Sequence, residues 1–276
     1  MRVLVVALVL LASCTAAPAA ATPDPYADHP RAVTYGDGAN APRVRPTPAA
    51  TPAGTAVATF RPTPAPTRDP SAVVGDRLAV ASGDFDCDKR PDRLEFFQLT
   101  SATPLALPKL ARLTLATGAV HELAIEGTVQ PDVVTDPLVG IADVNGDGCD
   151  DAIITVGHGA STTWTSFLVF DGTDLRRAEE NGAPVMFLFG GSVRHGNAIE
   201  CRRTKDAPEV VARGVSDYTS DYNWDLVEDV HRWSTKSRLV LWSTTASVIA
   251  VSARFAMPPD SDRYWGLSCG SLKFGG

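Results

Sequence analysis

Short apolar runs separated by polar turns fill the chain over residues 72–276. The polar stretch 143–151, for example, lies between the apolar runs 138–141 and 152–156. Runs of this length that are rich in β-branched residues and bounded by Gly, Asn and Asp are typical of β-strands. No helical period is sustained over about ten residues, so the pattern predicts an all-β fold.

Three pairs of these runs are predicted to form β-hairpins. One spans residues 111–127 with a turn at Gly118, and another spans residues 166–175 with a turn at Gly172. Two-residue turns of the X-Gly type are favoured between antiparallel strands. Residues 224–246 alternate in the same way on both sides of a Ser/Thr/Lys loop, which predicts the third hairpin.

Two acidic loops share one spacing of oxygen-bearing side chains. These side chains occupy positions one, three, five and nine: Asp84, Asp86, Asp88 and Asp92 in the first acidic loop, and Asp143, Asn145, Asp147 and Asp151 in the second acidic loop. The loops begin 59 residues apart (143 − 84). A third copy begins 58 residues later at Cys201 (201 − 143), but it has Arg203, Lys205 and Glu209 at positions three, five and nine. The spacing predicts a propeller-like array of about three four-stranded repeat units of roughly 58 residues.

The side chains of the two acidic loops favour a hard cation. Calcium takes about six to eight oxygen ligands, and alternate residues of a tight loop can direct their oxygens towards one centre. Gly146 and Gly148 permit the sharp turn, and the carbonyl of Cys149 offers a further oxygen. The alternative is a polar Asn/Asp/Gly turn without an ion. An EF-hand is excluded, because it requires Glu at position twelve, where this chain has Ile154.

The chain begins with the features of a secreted lipoprotein. Residues 1–13 combine the positive Arg2 with an apolar run that is too short to span a bilayer, as signal peptides do. The sequence Leu-Ala-Ser-Cys that ends at Cys14 resembles the bacterial lipobox, in which the cysteine is lipidated. The alternative is ordinary cleavage near Ala17 or Ala20. We therefore expect an extracytoplasmic protein that is anchored to the outer face of the cell membrane through lipid at Cys14.

The following segment, residues 14–71, is dominated by Ala, Pro and Thr. It has too few large apolar residues to offset the entropy lost on ordering, so we predict a disordered linker ahead of one domain over residues 72–276. The formal net charge is −7 and no basic stripe is present. Nucleic acid is therefore not expected as a partner.

Four cysteines fall in the predicted domain: Cys87, Cys149, Cys201 and Cys269. An even number of cysteines in a secreted chain predicts two disulfides, and the sequence leaves three pairings open. Buried free thiols are the alternative. A zinc site is not expected, because no Cys-x-x-Cys pair is present.

Catalysis has little support in the residue pattern. A hydrolase would pair His158 with Ser161, or His195 with Ser192, and would add a nearby Asp. These residues stand in Gly/Ser/His-rich stretches of the kind that connect strands, so we expect no enzyme. The alternative is a secreted hydrolase that acts on an envelope or carbohydrate substrate. The five tryptophans either belong to the core or form a platform for stacking sugars: Trp164, Trp224, Trp233, Trp242 and Trp265.

The motifs DFDCDKRPD and DVNGDGCDD resemble the calcium-binding loops of FG-GAP/VCBS-type repeats, which occur in integrin-like β-propeller blades. The chain as a whole is similar to secreted actinobacterial lipoproteins with VCBS repeats. The resemblance rests on the two acidic loops and the altered third copy. The repeat units to which these loops belong cover most of residues 80–253. It implies one calcium ion in each acidic loop, held by the side chains at positions one, three, five and nine and by the carbonyls of Arg90 and Cys149. Lys89 stands where the repeat pattern has Gly, which implies a weaker first site.

The same resemblance implies a function and a disulfide pairing. The expected function is that of a calcium-binding module that binds or scaffolds at the cell surface, with an extracellular protein or a carbohydrate as its partner. Cys87 and Cys149 lie in equivalent loops, so the repeat frame implies one disulfide between them. It implies a second disulfide between Cys201, which opens the third copy, and Cys269 near the end of the chain.

Overall fold

The computed structural model describes residues 73–100, 109–125 and 136–275. Strands make up 66% of the structure and helix 2%, which confirms the all-β class. None of the helix in the described ranges has the length and apolarity needed to cross a bilayer. The predicted signal peptide, the predicted lipidation site at Cys14 and the predicted linker lie outside the described residues.

The first unit is a four-stranded antiparallel sheet in chain order. Its strands are β1 (Val73–Gly83), β2 (Asp92–Thr100), β3 (Lys109–Thr114) and β4 (Val120–Ile125). The first acidic loop connects β1 to β2. The predicted turn at Gly118 closes the β3–β4 hairpin, and this glycine has a φ of 89° that other residues adopt rarely.

The second unit has the same order of antiparallel strands. Its strands are β5 (Leu138–Ala142), β6 (Asp151–His158), β7 (Thr162–Phe170) and β8 (Leu175–Arg177). The second acidic loop connects β5 to β6. The β7–β8 turn is held by Asp171, whose Oδ1 accepts hydrogen bonds from the backbone N–H groups of Thr173 and Asp174 at 2.8 and 2.9 Å. The hairpins predicted around Gly118 and Gly172 are therefore both present.

The third unit consists of four longer antiparallel strands. They are β12 (His195–Arg203), β13 (Pro208–Ser220), β14 (Asn223–Thr235) and β15 (Arg238–Ala250). Three short strands precede this unit: β9 (Glu179–Glu180), β10 (Ala183–Pro184) and β11 (Phe187–Ser192). A 3₁₀ turn (Ser261–Arg263) leads to β16 (Gly266–Cys269) and β17 (Leu272–Gly275). The altered third copy of the loop is reduced to the short turn between β12 and β13.

The three units are not separate blades. β11 pairs with β7 on one side and with β12 on the other, so it joins the second and third units into one sheet of 13 strands. β16 adds to β12 in parallel. The sheets do not close into a barrel or a propeller, so the propeller-like arrangement is not confirmed. The reason is β11, which has no equivalent in the first unit. It pairs with β7 at a sheet edge that would be unpaired in a separate blade.

Two hydrophobic cores lie on opposite faces of the second unit. Ala152, Ile154 and Leu168 on one face pack with Phe96 and Leu113 of the first unit. On the other face, the packed residues are Ile153, Phe167, Val169, Ile199, Val210 and Trp233. Burial of such side chains stabilises a fold by about 1.5–3 kcal/mol each. The continuous apolar run in β6 is explained by this position between two layers.

Candidate metal centre

The two acidic loops have the same pattern of hydrogen bonds from backbone N–H groups. At position one, Oδ2 of Asp84 accepts from the N–H of Lys89 at 3.1 Å, and Oδ2 of Asp143 accepts from the N–H of Gly148 at 2.9 Å. Each of these donors lies five residues after its acceptor. The loops therefore turn around the first carboxylate in the same way.

The same correspondence holds at positions three and five. Oδ1 of Asp86 accepts from the N–H of Asp88 at 3.1 Å, and Oδ1 of Asn145 accepts from the N–H of Asp147 at 2.9 Å. The side chains at position five in turn accept from the backbone N–H of Arg90 at 2.8 Å and of Cys149 at 2.9 Å. In each loop, the side chains at positions one, three and five thus accept hydrogen bonds from backbone N–H groups of the same loop.

Two positions in each loop have left-handed backbone angles. In the second acidic loop they are Gly146 and Gly148, with φ of 80° and 91°. In the first they are Cys87 and Lys89, with φ of 64° and 65°. A side chain in this conformation costs about 1–2 kcal/mol. The first acidic loop therefore keeps its shape at an energetic cost that the second avoids.

The carboxylates at position nine anchor the loops to the sheets. Oδ2 of Asp92 accepts from the N–H of Phe85 at 2.9 Å, and its Oδ1 accepts from the N–H of Ala116 at 2.8 Å. Oδ2 of Asp151 accepts from the N–H of Val144 at 3.0 Å. Burial raises the pKa of Asp151 well above its ordinary value, even though these backbone N–H groups favour the charged form.

The first acidic loop gathers three of its four predicted carboxylate ligands. Carboxylate oxygens of Asp84, Asp86 and Asp88 all lie within 4.8 Å of one another. Asp92 is not part of this group, and both of its oxygens accept hydrogen bonds from backbone N–H groups. Burial and the negative charges of Asp92, Asp88 and Asp84 raise the pKa of Asp86 against the opposing backbone hydrogen bond. The loop therefore concentrates like charges.

One oxygen of this group lacks a partner. Among the described residues, Oδ1 of Asp84 is buried and makes no hydrogen bond. Buried polar atoms are almost always satisfied, so such an atom calls for a ligand or an ion. The side chain of Arg90 bonds to Asp88, and this contact lowers the pKa of Asp88. A hard cation that takes oxygen ligands fits the residues present at Asp84, Asp86 and Asp88.

The second acidic loop has a different electrostatic environment. Nη2 of Arg203 lies 2.5 Å from Oδ2 of Asp143. Nζ of Lys236 lies 3.0 Å from Oδ2 of Asp147, and its backbone carbonyl accepts a hydrogen bond from Nδ2 of Asn145 at 3.0 Å. Two cationic side chains of the third unit therefore neutralise the carboxylates at positions one and five.

Sequence reasoning missed this role of Arg203 and Lys236. Arg203 occupies position three of the altered third copy, where we expected only a lost ligand. The contact joins residues that are 60 positions apart (203 − 143), so no local pattern shows it. A cleft of about 250 Å³ lies beside the ion pair and is bounded by Ile141 and Gly270.

The two acidic loops are linked to each other. A disulfide joins Cys87 to Cys149 with a Cα–Cα distance of 4.9 Å. The N–H of Asp84 donates to Oδ2 of Asp150, and the N–H of Asp150 donates to the carbonyl of Asp84, both at 2.8 Å. These contacts place the two candidate sites side by side at one end of the sheets.

The second disulfide joins Cys201 to Cys269 with a Cα–Cα distance of 4.6 Å. These residues are register partners in the parallel pair β12–β16, so the bond fixes the last strands of the domain to the third unit. The two disulfides expected in a secreted chain are thus present. Their pairs are also those implied by the repeat frame.

The candidate catalytic residues form one close contact. Oγ of Ser192 lies 2.8 Å from Nδ1 of His195 in the β11–β12 hairpin. The hydroxyl of Tyr218 lies 3.0 Å from the same nitrogen. The nearby Asp217 is engaged by Arg194, with 2.8 Å between Nε and Oδ1. Within the described ranges, no carboxylate bonds to His195, so the arrangement is a Ser–His pair and not a triad.

A further serine matches a motif that the sequence reasoning overlooked. Residues 266–270 read Gly-Leu-Ser-Cys-Gly, which has the spacing of a nucleophile elbow. Such an elbow requires a sharp turn between a strand and a helix. Ser268 instead lies inside β16, where it is a register partner of Glu200 and Lys273. The motif therefore has strand geometry here.

The five tryptophans do not form a common platform. Trp224 and Trp265 are buried and pack edge-on, with 5.5 Å between their ring centroids. Trp233 is buried in the second core and Trp164 packs against the first. Trp242 is 60% exposed on β15. The core interpretation therefore holds for four of the five rings.

Comparisons with known proteins give no assignment: no family model, no curated protein and no solved structure matches this chain, and none identifies an FG-GAP/VCBS repeat protein.

Proposed function

We propose that this protein is a lipid-anchored, extracytoplasmic module of the FG-GAP/VCBS-like type, and that its first acidic loop holds a structural calcium ion. The observation that carries the proposal is the orphaned, buried Oδ1 of Asp84 within a group of three carboxylates. A calcium ion would satisfy this oxygen and neutralise the carboxylate of Asp86, whereas Asp88 already pairs with the side chain of Arg90. The rigid module then binds or scaffolds an extracellular protein or a carbohydrate at the cell surface.

The two acidic loops have unequal roles in this proposal. The first has a cluster of carboxylates with an unsatisfied oxygen. In the second, Arg203 and Lys236 already lie against Asp143 and Asp147 and supply the positive charge that an ion would bring. We therefore propose one calcium ion per chain, in the first acidic loop, and an internal cationic substitute in the second. From Lys89, the sequence predicts weaker calcium binding in the first acidic loop than in the second. The proposal reverses this order of affinity.

The location and the repeat class rest on other observations. The matching hydrogen-bond patterns of the two loops, 59 residues apart (143 − 84), support an origin by internal duplication. Two disulfides support an oxidising compartment. The lipobox-like sequence that ends at Cys14 supports the membrane anchor.

Calcium titration of the full chain tests the proposal. Isothermal calorimetry should give one site, and the unfolding midpoint should be higher with calcium than with chelator. Ligand at 100 times its dissociation constant stabilises the folded state by about 2.7 kcal/mol. Asp84→Asn keeps the shape of the side chain but removes its charge, and it should abolish both effects.

Asp206→Asn is the matched control, because it removes the same charge from an exposed position in the β12–β13 turn. It should bind calcium as the unaltered chain does. Absence of binding heat and of any midpoint shift in the unaltered chain would overturn the calcium site. The loops would then act as turns only.

A second candidate function rests on the Ser192–His195 contact of 2.8 Å. It is a hydrolase in which Ser192 is the nucleophile and His195 the base. Labelling of the full chain with a fluorophosphonate probe tests it. The hydrolase requires labelling that Ser192→Ala abolishes and Ser161→Ala retains. An unlabelled chain would exclude the serine nucleophile.

A further inference from the structure

Among the described residues, nothing pairs with the outer edge of β15 along most of its length. β14 pairs with one side of β15 from Arg238 to Ala250. On the other side, the described part of the chain supplies only the short strand β9, which pairs with Arg238 and Leu239. The backbone edge from Val240 to Ala250 is therefore available for a further strand.

This edge is unusually apolar on both faces. Trp242 is 60% exposed, Val248 is 61% exposed and Leu241 is 51% exposed. Natural edge strands are usually protected by charged side chains, especially Lys, or by Pro. Residues 239–253 contain no Asp, Glu, Lys, Arg or Pro. The edge thus lacks the side-chain features that prevent strand addition.

The sequence of the open edge is nearly the same in both directions around Thr245. Leu241 corresponds to Ile249, and Trp242 corresponds to Val248. Closer to the centre, Ser243 corresponds to Ser247, and Thr244 corresponds to Ala246. Thr245 is also the midpoint of the open edge from Val240 to Ala250. An antiparallel copy of the same strand would therefore place hydroxyls opposite hydroxyls or a methyl group at the centre, with apolar residues at both ends of the paired segment.

We propose that β15 is a dimer interface, at which β15 of a second copy pairs antiparallel about a two-fold axis at Thr245. Such an isologous contact is self-complementary, as closed two-fold symmetry requires. Strand addition at an edge supplies main-chain hydrogen bonds, and the side chains on alternate positions supply specificity. The result is one sheet that continues from one protomer into its partner. This inference is independent of the calcium site.

Neighbouring groups are compatible with this pairing. The acidic residues behind the centre, Glu228 and Asp229, belong to β14, and Oδ1 of Asp229 accepts a hydrogen bond from Thr244 at 2.6 Å. They are separated from their copies by both β15 strands. Arg232 lies over the ring of Trp242 at 3.9 Å, so this ring is already held in position on the sheet. β9 ends the pairing at Leu239 in each protomer.

Charge reversal on the edge tests the proposal in the full chain. Sedimentation should give a dimer for the unaltered chain. Ser243→Lys with Ser247→Lys places like charges opposite each other across the axis and should give a folded monomer, because both serines are exposed and share one face of β15. Ser243→Glu with Ser247→Glu should do the same. An equimolar mixture of the two variants should restore the dimer as a 1:1 heterodimer, because each Lys then faces a Glu.

Cysteine cross-linking tests the register. Thr245→Cys should form a disulfide-linked dimer on mild oxidation, because directly opposed residues of antiparallel strands lie within disulfide reach. Ser243→Cys alone should not cross-link to itself, but it should cross-link to Ser247→Cys when the two variants are mixed. All three positions lie beyond the irregularity in the β14–β15 pairing, which occurs between Leu241 and Ser243.

Two results would overturn the proposal. One is an unaltered chain that remains monomeric at all concentrations. This result overturns the proposal whether the β15 amides exchange freely or are protected by another part of the same chain. The other is a dimer whose mass is unchanged by both charge variants, because its interface would then lie elsewhere. Cross-linking of Ser243→Cys to itself would exclude the axis at Thr245.

Discussion

Nη2 of Arg203 lies 2.5 Å from Oδ2 of Asp143, so a residue of the third unit occupies the electrostatic position of an ion in the second acidic loop. Lys236 acts in the same way on Asp147 at 3.0 Å. The two acidic loops share a backbone frame, and they differ in what balances their charge.

If the first acidic loop holds calcium as proposed, removal of these two cations should create a second site in the second acidic loop. In the chain with Arg203→Met and Lys236→Met, we expect calorimetry to give two calcium ions per chain. Without calcium, the variant should be destabilised by about 1 kcal/mol, the upper range for partly exposed ion pairs. Lys205→Met is the control, since this exposed lysine lies two residues after Arg203, in the β12–β13 turn. A stoichiometry that stays at one would show that the loop lacks further ligands.

Replacement of Lys89 by glycine should stabilise the protein. Lys89 has a φ of 65°, which costs a non-glycine residue about 1–2 kcal/mol. Glycine removes this cost but loses more entropy on folding, so we expect a net gain of about 0.5–1 kcal/mol in urea unfolding. Lys89→Ala separates the two effects, because it removes the side chain and keeps the strained angle. An equal gain from alanine would mean that lysine charge, and not backbone strain, sets the effect.

Loss of the Cys87–Cys149 disulfide should weaken the fold and, on the proposed function, calcium binding at the first acidic loop. Closure of a loop of this size, with a sequence separation of 62, stabilises a protein by about 4 kcal/mol on the chain-entropy model. The double variant Cys87→Ala with Cys149→Ala should therefore unfold at lower urea and bind calcium less tightly. Cys201→Ala with Cys269→Ala should lower stability and leave calcium affinity unchanged, because that bond lies beside the second acidic loop and does not touch the first. Equal calcium affinity in the two double variants would argue against coupling between the loops.

The carboxylate of Glu209 should make stability depend on pH in the acid range. Burial alone would raise its pKa, but hydrogen bonds from Arg202 and Arg232 outweigh burial and hold the pKa below its ordinary value of 4.5. A carboxyl group with a lowered folded-state pKa stabilises the fold above 4.5, and the contribution disappears as the pH falls through the folded-state value.

We therefore expect Glu209→Gln to cost about 2 kcal/mol at pH 7, the range for hydrogen bonds to charged groups. The difference from the unaltered chain should shrink as the pH drops below 4.5. Urea unfolding at several pH values measures it. Glu122→Gln is the control, because its pair with Arg112 is partly exposed and should contribute less than about 1 kcal/mol. A constant difference across the pH range would contradict the charged state of Glu209.

The features that were predictable from the sequence are local ones. The turns at Gly118 and Gly172 depend on residues that are close to each glycine in the sequence, and both predicted hairpins are present. The acidic loops are also local, because their frame depends on N–H groups within a few residues of each carboxylate. The apolar run of β6 predicts a strand, and its burial on both faces follows from the same run.

The features that the sequence did not reveal depend on long-range contacts. β11 carries no signal that it would pair with both β7 and β12, and this pairing determines that the units merge. In the sequence, Arg203 stands at a position that has lost its ligand side chain. Only the folded structure shows that Arg203 lies against Asp143. Trp242 differs from the other four tryptophans only because β15 lies at an edge of the sheet.

The position of the second unit between two cores has a consequence for how the protein is made. A nascent chain that ends before β12 would leave the core around Ile153, Phe167 and Val169 partly exposed to water, because its later members are not yet synthesised: Ile199, Val210, Trp233 and Leu239. We therefore expect the first two units to be unstable as a smaller protein. A chain truncated within residues 180–250 should aggregate, because the apolar face of the second unit would lack much of its cover.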